Sequence, residues 1–487
     1  MGLRKRRRSA DGGTGKRTMT AKPKILFFAR GYQADFFPTL TSEHYDSVYV
    51  TLTENESARV RKAGGTVAAC FERDFAGLVP ASVPDNYLYT SLMADRFLGR
   101  FDLDERRVIL GKEIAFWTRL LDEYRPVAVF NELVAIEISE VLLIETRRRN
   151  IRYLASMHAP ATNYFYWLPD PMTISGRKMP DIVPSEASRA IARTYMAELA
   201  NKDYRPFYVQ NLAGRRELKP LLIAVVKGLL WAWRGWRTRH GGSFRYELYT
   251  DEYSKRLLVY LKSFVHGYDR MEDIAADREV IFYPLHQEPE ATLSYMSCYY
   301  ANQVATIENI LKCMTPNQVL VVKEHPVDKG SLLRRKFAEV RKQYSALYYL
   351  PAELSGRAVL GRAERVVTLT STVGWEAASI GRKVYVLGEI FFDNVPGIDF
   401  VPNFDGLKPL FHAPVAEQPR VEKKAIEDLV ATLVEMSYPG NPAAHEGLYV
   451  SENLALVVAA ICDAAGIATA DDDGQRDVNA ATVVEAS

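Results

Sequence analysis

Between Glu279 and Glu376 three short apolar runs each end in a polar loop, and this repetition constrains the fold more than any other feature of the chain. VIFYPL ends in His286-Gln-Glu-Pro-Glu290, QVLVV in Lys323-Glu-His-Pro326, and RVVTL in Thr370-Ser-Thr-Val-Gly374. Each run is rich in β-branched and aromatic residues and is followed by a helix-like segment, so the runs read as buried parallel strands joined by crossover helices. In such a sheet the polar loops gather at the strand carboxyl ends, where open α/β sheets bind ligands.

The same rhythm occurs earlier in the chain. KILFFA, DSVYV, TVAAC, PVAVFN and IRYLAS read as strands, with helices at Glu54–Ala63, Asp104–Tyr124 and Leu133–Arg149. A second set comprises VIFYPL, QVLVV, ALYYL, RVVTL and KVYVLG, with helices near Asn302–Met314, Ser331–Tyr344, Glu353–Ala363 and Val373–Ile380. After Pro402 no strand is expected, and Glu422–Met436 and Glu452–Ala465 read as closing helices. The fold class is therefore α/β, with two Rossmann-like doubly wound parallel-sheet domains. They are expected over 23–183 and 277–415, with a helical insertion at 184–276 and closing helices at 416–468. Residues 1–22 and 469–487 read as disordered tails, the first basic and the second acidic.

At 487 residues with 48% apolar content the chain can build a core in each domain. Lys and Arg number 62 against 60 Asp and Glu, a net charge of +2, so no global charge favours nucleic acid. Cys70, Cys298, Cys313 and Cys462 have no metal-ligand or redox spacing and suit a reducing compartment. The basic run Arg4–Arg8 precedes no apolar h-region, and no stretch approaches the ~18 apolar residues of a membrane span, so a cytoplasmic protein is expected. One segment of the insertion stands apart. Lys219–Arg239, KPLLIAVVKGLLWAWRGWRTR, mixes aliphatic residues with Trp231, Trp233, Trp236 and basic residues. It reads either as a helix lying on the inner-membrane surface or as a buried interdomain helix with snorkelling cations.

Lys323 and His325 are two apart on an extended segment and point to the same side, a cation and an imidazole suited to a phosphate leaving group. The loop Thr370–Gly374 offers hydroxyls for helix capping, a glycine that lets backbone approach a ligand, and a helix start that favours an anion. Glu376, one turn on, is placed to accept hydrogen bonds from ribose hydroxyls. His286, Glu288 and Glu290 are candidates for a general base or for holding a sugar hydroxyl. In the first half, Asn131, Glu132 and His158 lie at strand ends on one rim, and Asn163–Trp167 forms an aromatic cluster suited to stacking on a sugar or to filling a core. No metal site is expected: Asp102-Leu-Asp104 opens a helix far from these loops. GxGxxG, GxSxG and Walker A patterns are missing as well.

YPLHQEPEATL at Tyr283–Leu293, the pair Asn302-Gln303, VKEHP at Val322–Pro326 and TSTVGWEA at Thr370–Ala377 resemble the capsular polysaccharide biosynthesis family, which includes capsule Kdo transferases. The resemblance covers about Val280 to Phe392. It implies a GT-B glycosyltransferase with two Rossmann-like domains facing a cleft, an acceptor domain first and a nucleotide-sugar domain second. It further implies that Lys323, His325, Ser371, Thr372, Gly374 and Glu376 contact the donor nucleotide, and it places His286, Glu290 and Gln303 on the same side. Catalytic candidates are His325, Glu288 and Glu132, with Asn131 and His158 on the acceptor side. The donor is a nucleotide sugar, with a CMP-activated acidic sugar such as Kdo favoured, and no cofactor is expected. The acceptor is a surface polysaccharide or its lipid-linked primer, made with the capsule assembly machinery. Two alternatives stay open: a teichoic-acid-type polyol-phosphate transferase using a CDP donor, and a catalytically silent assembly or glycan-binding subunit.

Overall fold

A computed structural model describes residues 21–84, 98, 101–200, 226, 229–230, 233, 267–287, 290, 292–326, 330, 332, 335–443, 445 and 447–469. Residues 1–20 and 470–487 of the two tails, most of 201–266 in the expected helical insertion, including most of 219–239, and Glu288 lie outside the described residues.

The first sheet is built from β1 (Lys24–Ala29), β2 (Asp46–Thr51), β3 (Val67–Cys70), β4 (Ala128–Asn131), β5 (Arg152–His158) and β6 (Tyr164–Trp167). The second contains β7 (Glu279–Pro284), β8 (Gln318–Lys323), β9 (Leu347–Leu350), β10 (Arg365–Thr368), β11 (Lys383–Val386) and β12 (Ile398–Phe400). A two-residue strand, β13 (Tyr438–Pro439), returns to the first sheet beside β6. The orders are β13-β6-β5-β4-β1-β2-β3 and β12-β11-β10-β7-β8-β9. β1 to β5 pair in parallel, as do all strands of the second sheet. Strands buried on both faces need continuous apolar runs, which is why β8, β10 and β11 carry no exposed position.

Helices α1 (Glu54–Lys62), α2 (Leu103–Tyr124) and α3 (Glu137–Arg148) accompany the first sheet, and α4 (Glu186–Ala200) follows it in the chain and packs on helices of the second half. With the second come α5 (Gln303–Cys313), α6 (Arg335–Gln343), α7 (Thr372–Ser379), α8 (Phe404–His412), α9 (Lys423–Glu435) and α10 (Ser451–Ala465). Thr53 with Glu56 and Asp102 with Glu105 close capping boxes at α1 and α2, satisfying backbone donors that a helix start leaves unpaired.

The two sheets are not separate bodies. One apolar cluster runs from Ala155 and Tyr166 through Tyr195 of α4 to Trp375, Phe392 and Val430. Helix α4 lies against α9, where the Ser185 and Ser188 hydroxyls both donate to Glu435 at 2.6 Å and Arg189 pairs with Asp428. Helix α10 crosses back, and its Val457, Ala460, Ile461 and Cys462 pack on Ile25, Phe27 and Phe130 of the first sheet. A strap at 173–177 completes the junction. Asp393 is buried and accepts from the Ser175 hydroxyl at 2.6 Å and the Arg177 amide at 3.2 Å, while the Arg177 side chain lies 3.5 Å from it and over the Phe400 ring. Gly176 donates to the Ile390 carbonyl at 3.0 Å and accepts from Asn394 at 3.0 Å. Two Rossmann-like sheets in tandem, with the closing helix returning to the first, make a GT-B-like fold.

Of the two readings of the aromatic cluster Asn163–Trp167, core filling is the one the structure bears out: it is a core strand with Phe165 and Tyr166 buried, where Asn163, at a positive φ of 63°, turns the chain back antiparallel on β5. Two expectations need correction. A strand does follow Pro402, namely β13, and a helix, α8, precedes the closing pair. Helix α3 begins at Glu137 rather than Leu133, which leaves Glu132 on a loop.

Candidate functional site

Because β7 lies between β10 and β8, the three polar loops of the second sheet become spatial neighbours. His286, just past β7, is buried and clamped: its amide donates to Gln303 Oε1 at 2.8 Å, and Gln303 Nε2 donates to its carbonyl at 3.0 Å. The Thr370 amide, just past β10, points at His286 Nε2 from 3.4 Å. That nitrogen therefore accepts, so the proton sits on Nδ1 and the ring is neutral. Burial, with the nearby His325 ring adding to it, pushes the His286 pKa down to about 3. Gln303 and His286 thus act as the frame of this rim, with Gln303 fully enclosed.

Lys323 ends β8 with its ammonium buried, donating to the Glu324 carbonyl at 3.0 Å and the Ala352 carbonyl at 3.3 Å. An ammonium has three donors, so two carbonyls leave one for a ligand. Burial lowers its pKa to about 8, opposed by Glu324 and Glu353. His325 is half-buried, and burial followed by the Lys323 charge lowers it to about 4. In the resting site His325 is therefore neutral at pH 7 and offers an N–H rather than a standing charge. Sequence reading passed over Glu324. The strand pleat turns it inward, where it accepts from the Gly330 amide at 2.7 Å, from Tyr268 at 3.2 Å and from Tyr349, and so anchors the loop that presents its two neighbours.

The third loop is a capped helix start. Ser371 Oγ accepts from the Val373 amide at 3.2 Å, and the Ser371 amide donates to Thr368 Oγ1 at 3.0 Å. The Thr370 hydroxyl is buried with no hydrogen-bond partner among the described residues. Gly374 serves packing: a Cβ there would lie 2.8 Å from Thr368 Cγ2 and 3.1 Å from Phe392 Cζ. Thr372 is the first residue of α7. Glu376 is held 3.6 Å from Arg357, and burial raises its pKa against that charge. Glu290 accepts from the Thr292 hydroxyl at 3.0 Å and leads into a π-helical turn at Thr292–Met296, a geometry often found beside functional sites.

The first sheet's rim forms a second polar group. Arg30, in the loop after β1, lies 3.1 Å from Glu132 and donates to Ser139 Oγ at 3.1 Å. Asn131 is buried and donates to Tyr153 Oη at 2.8 Å and to Ser139, and Tyr153 donates on to the Glu132 carbonyl at 3.3 Å. Glu56 holds the β1 loop from beneath, accepting from the Gly31 amide at 2.9 Å and the Thr53 amide at 2.9 Å. Asn131 is thus part of the support, while Glu132 keeps its carboxylate part-exposed beside Arg30. His158, at the end of β5 opposite Phe165, is half-buried, and burial lowers its pKa. Arg30 escaped the sequence reading, although its place after the first strand was the available signal.

Two chemistries follow. The second sheet's rim presents an ammonium, a neutral imidazole and a helix start, a set that receives an anion. The first sheet's rim presents a carboxylate oriented by an arginine, which can take a proton from a hydroxyl. Among the described residues no group of three or more His, Cys, Asp or Glu is arranged to hold a metal ion.

A comparison with curated proteins finds no match. Among solved structures, the chain is similar to a putative UDP-N-acetylglucosamine 2-epimerase from Listeria monocytogenes at 13% identity, covering 91% of this chain and 98% of that one, with a TM-score of 0.31. It is also similar to the KpsC beta Kdo 2,7 transferase of Thermosulfurimonas dismutans at 10% identity, covering 86% and 93%, TM-score 0.32. The beta Kdo 2,4 transferase of the same organism matches at 14% identity, covering 68% and 87%, TM-score 0.30. Superpositions this loose assign neither fold nor chemistry. The sequence match is of another kind: residues 240–401, which carry all three loops, match the family model described as capsule polysaccharide biosynthesis protein. Over its second sheet the chain is thus similar to the capsule polysaccharide biosynthesis family.

Proposed function

We propose that the protein is a metal-independent glycosyltransferase that moves a sugar from a nucleotide donor, a CMP-activated acidic sugar such as Kdo in the favoured case, onto a surface polysaccharide or its lipid-linked primer. The observation that carries this reading is the convergence of Lys323, His325 and the Thr370–Gly374 helix start, framed by His286 and Gln303. An acceptor hydroxyl gives its proton to a carboxylate, Glu132 or Glu288, and its oxygen bonds to the anomeric carbon. The bond from that carbon to the phosphate oxygen breaks, and the negative charge left on the phosphate is received by Lys323, the His325 N–H and the helix start. Arg30 orients Glu132 in this scheme.

The test is a thermal-shift titration with CMP, CDP, UDP and GDP. A ligand that binds only the folded state at about 100 times its Kd adds about 2.7 kcal/mol of stability. A selective rise in Tm with CMP is expected. A rise with CDP alone moves the reading to polyol-phosphate transfer, and no rise with any of the four sinks the donor site.

The pH dependence of that binding has a definite sign. An anion prefers the site with Lys323 charged, and the free site loses that charge as pH rises through about 8. Nucleotide affinity should therefore fall by up to about tenfold per pH unit above ~8, where an ordinary lysine near ~10.4 would give a flat profile. Lys323→Arg, which does not titrate there, should flatten it in isothermal titration calorimetry. A flat wild-type profile to pH 9.5 would exclude Lys323 as the phosphate's cation.

A further inference from the structure

We propose that the helix face formed by Val226, Leu229, Leu230 and Trp233 docks on an anionic lipid surface. This rests on neither the donor nor the reaction. The four residues are helical, spaced i, i+3, i+4 and i+7, and so share an arc of about 100° on one side of a helix. That side faces outward: they are 56%, 66%, 49% and 52% exposed, whereas large apolar residues elsewhere in the chain mostly fill the cores. A continuous exposed apolar face of this kind marks an interaction surface.

The charge of the surrounding sequence selects the occupant. From Leu218 to Tyr246 the chain carries Lys219, Lys227, Arg234, Arg237, Arg239 and Arg245 and no Asp or Glu. An apolar face set in a wholly basic stretch complements a bilayer with anionic headgroups, with aliphatic side chains entering the acyl boundary and tryptophan at the interface. A second copy of this chain is a poorer partner, because its net charge of +2 supplies no acidic excess to meet those cations. Lys227 and Arg234 interrupt the apolar stretch well short of the ~18 residues that a span needs, so the contact proposed is one that lies along the surface.

The experiment is co-sedimentation of the full chain with vesicles of phosphatidylcholine alone and of phosphatidylcholine mixed with phosphatidylglycerol. Binding to the anionic vesicles is expected, at least about tenfold stronger than to the neutral ones and weakened by salt as the Debye length shrinks. The variant Leu229→Glu/Leu230→Glu/Trp233→Glu should lose at least about tenfold of that binding, since each change places a charge in the acyl boundary. Its far-ultraviolet circular dichroism and Tm should match the wild type. If it fails to fold, hydrogen exchange of the wild-type 219–239 amides with and without anionic vesicles decides, protection being expected. No binding of the wild type to anionic vesicles overturns the proposal. So does a variant that binds them normally, or one whose only change is a lower molecular mass by light scattering, which would make the face a contact between two copies.

Discussion

His325→Ala should lower turnover by at least about a hundredfold, about 2.7 kcal/mol in the barrier, while leaving Tm within a few degrees of the wild type. In the proposed reaction the effect comes from charge that appears only as the phosphate departs. With its pKa pushed down to about 4 by burial and by Lys323, His325 is neutral in the free enzyme and contributes little to holding a ground-state nucleotide. As the phosphate departs, negative charge grows opposite that N–H, and an interaction strengthened only then raises kcat rather than lowering KM. His325→Gln, which keeps an N–H donor, should recover part of the loss if hydrogen bonding is the whole effect, and none if a proton is delivered. Initial rates of nucleotide release, with the donor chosen by the thermal-shift titration, read all three proteins. Turnover of the alanine variant within a few-fold of wild type would take His325 out of the mechanism, and a wild type that binds nucleotide without turnover would favour a catalytically silent subunit.

Gly176→Ala is the second large effect, and it falls on stability. An added Cβ would meet Asn394 Oδ1 at 2.5 Å and the Phe391 carbonyl oxygen closer still, and the latter is backbone that cannot rotate away. Moving the strap to relieve the clash also pulls Ser175 and Arg177 off Asp393, whose carboxylate is fully enclosed and, with its pKa raised by burial, depends on those donors. Overpacking alone costs about 1–3 kcal/mol, and an under-hydrogen-bonded buried carboxylate adds about 1–3 kcal/mol more. Urea unfolding should show a midpoint shift of that size or a split into two transitions as the two sheets uncouple. Gly77→Ala, a position where a Cβ would meet nothing within 4 Å, is the control and should stay within ~0.5 kcal/mol of wild type. Equal stability of the two variants would show that the strap does not bind the sheets together.

The doubly buried strands could be read from the sequence because burial on both faces leaves no polar position to confuse the period: KILFFA is β1 residue for residue, and VIFYPL falls on β7 to within one. The convergence of His286, Lys323 and Thr370 followed from the same runs, since loops after parallel strands share a rim. Three strands, β6, β12 and β13, did not announce themselves. β12 and β13 are too short to show any alternation, and β6 is an aromatic run whose pairing depends on a turn at Asn163. The supports of the site were hidden for a different reason. Gln303 reaches His286 across seventeen residues and Glu56 reaches Gly31 across twenty-five, contacts set by tertiary packing that leave no local pattern. Glu324 sits between two rim residues in sequence and on the opposite side of the pleat in space.

The return of α10 to the first sheet has a consequence for biosynthesis. Ile25, Phe27 and Phe130 emerge from the ribosome hundreds of residues before Val457, Ala460 and Ile461, which cover them. The first half therefore cannot finish folding while the rest is being translated, and its sheet must wait with an apolar face uncovered, a natural target for a chaperone. A fragment ending near residue 183 would keep that face open permanently, so expression of the first half alone should give insoluble protein unless residues 438–469 are supplied in trans.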